Sequence, residues 1–299
     1  MKVFNSLVKR NVKMFFKDKG LFFTSLITPL ILLVLYATFL SNVYRDSLSS
    51  IFTEMGVTLP KEVINGAVGG QLLSSLLSVS CITVSFCSNM LMVQDKVSGA
   101  RKDMLMSPVK RSTMALSYYF ATTFSTLIIC FTALLAGLIY IAIIGWYLSL
   151  LDVLLLIIDV LVLVTLGTAL SSVINYFLST QGQISAVGSI VSSCYGFISG
   201  AYMPLSSFSQ GLRNVLMFSP GTYGTSLLRK HSLNGVIKEM NYLNLPEQAV
   251  KGFKDAVDCN VYFFGEQVSS VTSFLVLLFA VALFIGLYVL FNIRSKKNN

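Results

Sequence analysis

"VQDKVSGARKDMLMSPVKRSTM", from Val93 to Met114, is a polar island in an apolar chain. It carries the bases Lys96, Arg101, Lys102, Lys110 and Arg111 and the acids Asp95 and Asp103, although only 12% of the chain is charged. A long uncharged apolar run lies on each side. If those runs cross a bilayer, the island must sit in water or against a soluble partner, because exposed loop backbone does not survive in hydrocarbon.

The totals agree with that premise. Of 299 residues, 55% are hydrophobic, and the mean hydropathy is +0.75. Soluble domains are about a quarter charged. Apolar runs of membrane-spanning length recur, and the ten-residue alternating segments of a β-barrel are absent. The expected fold is an all-α membrane protein with six spans, near 21–41, 70–93, 114–145, 148–178, 183–202 and 269–293. Pro29 is expected to kink the first span, and Trp146–Tyr147 to form a tight interfacial turn. The chain divides into an interface helix (1–20), spans one to five with the loop 94–113 (21–202), an outer hairpin and external subdomain (203–268), and a sixth span with a basic tail (269–299).

Residues 1–19 read as an amphipathic interface helix. Val3, Phe4, Leu7, Val8, Val12, Phe15 and Phe16 recur at helical spacing, with Lys2, Lys9, Arg10, Lys13 and Lys17 opposite. A signal peptide is the competing reading, but the apolar run that follows is long for one and shows no clear cleavage site. With both termini inside, the cytoplasmic segments hold fourteen basic and three acidic residues, and the outer loops eight of each. The positive-inside rule therefore places the chain multi-pass in the plasma membrane with cytoplasmic termini. The net +9 is a membrane-surface signature, and no folded basic domain points to nucleic acid.

Two spans carry small-residue seams. Ser74, Ser78, Cys81, Ser85 and Ser88 repeat in the second; Ser185, Ser189, Ser192, Gly196 and Ser199 repeat in the fifth. Such seams pack helices closely, and they can also border a substrate path or a dimer contact. Asp159 lies at membrane depth, where a carboxylate is costly. A structural hydrogen bond, a place near a transport route and a proton relay are its three readings. The relay is the weakest, since no second acid or His lies in another span. The lone His231 falls in the outer loop and reads as a surface residue. Cys259 is the one cysteine in a polar loop, and the five cysteines suggest neither disulfides nor a metal site.

"SGAYMPLSSFSQGLRNVLMFSPGTYGTSLLRK", Ser199 to Lys230, breaks at Pro204 and again at Pro220-Gly221, with a short apolar helix between. It reads as an outer re-entrant or interfacial hairpin. Beyond it, 232–258 reads as a small external subdomain with an amphipathic helix after Pro246. No phosphate-binding G-x-x-x-x-G-K-[ST], zinc motif or nucleophile elbow is present. The chain reads as non-catalytic.

This layout resembles the type-two ATP-binding-cassette export permeases, which include drug, polysaccharide and nodulation-factor exporters. The likeness rests on the N-terminal helix, on "QDKVSGARKDMLMSPVKR" as a coupling loop, and on the hairpin stretch. It implies two separate cytoplasmic ATPase subunits carrying ATP and Mg, with no cofactor in this chain, and a second permease copy or a similar permease. It implies docking through Lys9, Arg10, Lys13, Asp95, Lys96, Gly99, Arg101, Lys102, Leu105, Ser107 and Pro108. Tyr202, Pro204, Phe208, Phe218 and Pro220 fall in the hairpin that closes the exit. Ser74, Ser78, Ser85, Asp159, Ser189, Ser192 and Gly196 are the candidate path or dimer seam. The outer loop 222–268 is longer than in minimal drug-exporter permeases, which leaves room for an extra lid or a partner. The expected cargo is an amphipathic or lipid-like compound moved outward. A polysaccharide or teichoic-acid exporter is the same-fold alternative, and a sensor or scaffold the alternative of another class.

Overall fold

The computed structural model describes residues 2–54 and 59–294. Helix α1 (Lys2–Lys17) meets α2 (Lys19–Leu35) at Asp18, whose carboxylate accepts the Leu21 amide at 3.1 Å as an N-cap. The α2 helix runs through Pro29 without a break. It leaves α geometry only at the π turn Tyr36–Leu40 and then continues as α3 (Ser41–Glu54). Part of the expected outer loop 42–69 is therefore helical.

The central element is α4 (Lys61–Val97), 37 residues long, or about 55 Å at 1.5 Å per residue. Most of its side chains are buried, so it has no outward stripe. It packs against α2, α6 (Arg111–Ile144), α7 (Leu150–Phe177), α8 (Gln181–Ile198) and α10 (Pro220–Tyr242). Between α4 and α6 lies the short α5 (Ala100–Met106). The α6–α7 turn is five residues, and Ser149 and Asp152 close it with a reciprocal capping box.

Among the described residues, five helices are long and apolar enough to cross a membrane: Lys19–Ser50, Lys61–Val97, Arg111–Ile144, Leu150–Phe177 and Ser270–Arg294. The last is α12. The expected fifth span corresponds to α8, which is 18 residues long. It carries two glutamines and four serines and does not reach that apolar threshold.

After α8 come a single 3₁₀ turn (Leu205–Ser207) and α9 (Gln210–Leu216). Then α10 runs antiparallel to α4. Thr225 lies 2.5 Å from Ser78, and a Cβ at Gly70 would meet the Ser232 carbonyl at 2.7 Å. At Gly235 a Cβ would meet the Tyr147 carbonyl in the α6–α7 turn at 1.7 Å. Bare glycine is what allows this approach. The α11 helix (Glu247–Ala256) and a hairpin of β1 (Tyr262–Phe263) and β2 (Glu266–Gln267) complete the subdomain. Phe264 and Gly265 turn that hairpin at positive φ. The basic tail 295–299 lies outside the described residues.

Candidate functional site

At the end of the bundle where α4 and α12 finish, Asp95 in the last turn of α4 gathers three elements. Arg10 of α1 forms an ion pair with it, and Tyr118 of α6 donates to its Oδ2 at 2.6 Å. Arg10 also donates to Asn11 at 2.9 Å, and Asn11 is buried beside Ser117. The Asp95 hydrogen bond holds the Arg10 guanidinium above its usual range. So α1 turns Arg10 and Asn11 inward, while Lys9 and Lys13 stay exposed. They rim an apolar groove floored by Phe4, Phe120 and Phe124.

Lys96, next along, donates to the carbonyls of Tyr176 and Leu178 at 3.1 and 2.7 Å. It thereby satisfies the open end of α7, as cations do at helix C-termini. Gly99 adopts φ +86° and caps α5, a conformation that favours glycine. Arg101 reaches Asn292 of α12 at 2.9 Å. Lys102, Ser107 and Pro108 are exposed, Leu105 is half-buried, and Met106 is 88% exposed. The expected loop residues thus fall into two sets. Arg10, Asp95, Lys96 and Arg101 tie the loop to four helices; Lys9, Lys13, Lys102, Ser107 and Pro108 face outward.

The opposite side is organised by residues that the sequence did not mark. Arg229, 1% exposed, donates to Asp258 Oδ2 at 2.7 Å and to the Gly200 carbonyl at 2.5 Å. The same Asp258 oxygen accepts the Leu205 amide at 2.8 Å. One buried ion pair therefore ties the turn after α8, the start of the 3₁₀ turn, and the subdomain to α10. Asp258 holds φ +51°, sparsely populated for a side-chain-bearing residue though less so for Asp. Burial raises its carboxyl, and Arg229 opposes that shift. Cys259 beside it is buried rather than loop-exposed, and burial pushes its thiol up to about 12.

His231 is not a free surface residue: its Nδ1 lies 2.5 Å from Asp159 Oδ2. One turn on, Asn234 donates to Asp152 at 2.7 Å. Both α7 acids are thus engaged by α10. Asp159 has a titratable neighbour that its sequence context hid.

Among the hairpin residues, Tyr202 lays its ring over Gly196, where a Cβ would come within 2.2 Å. Pro204 precedes the 3₁₀ turn and Pro220 opens α10. Phe208 is half-buried, whereas Phe218 is 69% exposed and packs edge-on against Phe263. The seams separate by location. Ser74, Ser78 and Ser85 are sealed inside the chain and pack α4 within this one subunit. On α8, Ser189 is exposed and Ser192 half-buried.

A family model for the ABC-2 type transporter matches residues 2–232. A search of curated proteins gives no match to the chain.

Proposed function

The chain belongs to the ABC-2 type transporter family, and from that premise we propose that it exports an amphipathic or lipid-like compound, driven by two separate ATPase subunits that carry ATP and Mg. It is a multi-pass membrane permease subunit, not itself a catalyst. In our reading both termini are cytoplasmic, α8 is the fifth of six spans, and α9 with the start of α10 re-enters the outer leaflet.

One observation supports this reading above the others. Asp95, Lys96 and Arg101 bind the loop to α1, α7 and α12. A push on α5 and α1 is therefore delivered to the bundle as a unit. The central α4 then carries displacement without a break from Asp95 to Gly66, where it packs on α10. The Arg229–Asp258 clasp sits at the far end of that lever. Lys9, Lys13, Lys102, Leu105, Met106, Ser107 and Pro108 form the surface we assign to the ATPase groove, and the outward face of α8 forms the seam with a second permease.

The test is purification of the tagged permease and identification of any ATP-binding-cassette ATPase that comes with it. Co-purification, and ATP-dependent loss of a fluorescent amphipathic compound from loaded cells, are the expected outcomes. A permease that neither retains the ATPase nor lowers the retained compound would refute the reading and leave a sensor or scaffold.

A further inference from the structure

At the end of the bundle where α12 begins, a cavity of about 430 Å³ opens between α10, α11, the β1–β2 hairpin and the first turn of α12. Lys230, His231 and Asn234 enter it from α10, Lys254 from α11, and Ser269 and Ser270 from the α12 start. None of its lining residues is a carboxylate. Lys230 Nζ donates to Ser270 Oγ at 3.2 Å. Among the described residues, no acid lies within ion-pair distance of either lysine. The acids beneath, Asp159 and Asp152, are already engaged by His231 and Asn234.

Burial lowers the Lys230 ammonium below its usual range; Cys259 opposes that shift, and Lys254 adds to it by a smaller amount. Two cations share this recess with no acid in its lining to balance them. The first turn of α12 adds the positive end of a helix dipole. The volume is over ten times the ~30 Å³ that one water occupies in the liquid, enough for a phosphate with a small organic group attached.

We propose that this cavity binds a phosphate group, with Lys230 and Lys254 supplying its charge partners and the hydroxyl and backbone amide of Ser270 supplying hydrogen bonds, the Thr272 amide being already capped by Ser269 Oγ. Lysine ammoniums act here as point charges, which suits a tetrahedral oxyanion approached from several directions. The phosphate can come from a soluble phosphate ester or from a phospholipid headgroup. The proposal holds whichever way the transporter moves its cargo.

The test is calorimetric titration of the full-length protein with glycerol phosphate, in phosphate-free buffer, first in a nonionic detergent. Binding is expected, and Lys254→Gln should weaken it by roughly ten- to a hundredfold, the range for one lost charged hydrogen bond. Lys230→Gln is the second variant and should do the same. The titration is then repeated in lipid nanodiscs. Equal binding in phosphatidylglycerol and phosphatidylcholine discs assigns the cavity to soluble phosphate esters. Binding suppressed only in phosphatidylglycerol discs assigns it to that headgroup. Absence of binding in detergent, or binding unchanged in both variants, overturns the proposal.

Discussion

Arg229 is the residue whose removal should be felt most. Truncation to Met leaves the Asp258 carboxylate buried and the Gly200 carbonyl unpaired. Breaking a buried pair from one side costs about 3–5 kcal/mol. Arg229→Met should therefore lower the thermal midpoint markedly in detergent, and Arg229→Met with Asp258→Leu should recover part of the loss. An unshifted midpoint in the single variant would show the pair to be idle. Gly235→Ala should also destabilise, because its Cβ would overlap the Tyr147 carbonyl; Gly286→Ala, with open space around it, is the control. Cys259 gives a pH-based check. With its thiol near 12, only roughly one part in ten thousand is thiolate at pH 8. Alkylation of Cys259 at that pH should be orders of magnitude slower in the folded protein than in denaturant, followed by mass spectrometry.

The loop element separates two roles that the sequence ran together. Arg101 and Lys102 are adjacent and alike in charge, yet Arg101 is tied to Asn292 and Lys102 is exposed. Lys102→Glu should uncouple ATP hydrolysis from transport with the thermal midpoint unchanged, whereas Arg101→Glu should lower the midpoint as well. Transport at wild-type rate in Lys102→Glu would remove that residue from the docking surface. Gly99→Ala meets no neighbour, so its cost is conformational, roughly 1–2 kcal/mol at positive φ. On the other side, α10 is the element that sequence reading missed. Arg229, Lys230, His231, Lys238 and Glu239 give it the look of a solvated loop, and a helix whose polar groups are satisfied by other helices has no local signature. By contrast α1, α6, α7 and α12 were legible, because many of their apolar residues lie on the outside of the bundle and repeat over lengths of 16 to 34 residues.

For the whole molecule, the two seams predict different assembly chemistry. Ser189→Cys on the outward face of α8 should crosslink two permease copies under mild oxidation. Ser74→Cys, fully buried inside the subunit, should not. A crosslink from position 74 and none from 189 would move the subunit contact elsewhere. Hydropathy, charge asymmetry and glycine placement are properties of neighbouring residues. They were enough to establish a helical membrane protein and the polar loop between two of its long apolar helices. Which buried polar groups meet is a different kind of fact. Arg229 finds Asp258 across 29 residues, His231 finds Asp159 across 72, and Arg10 finds Asp95 across 85. Desolvating each charge is tolerated only because its partner arrives from another element. That pairing exists only once the helices are packed, and so it was settled by the tertiary structure.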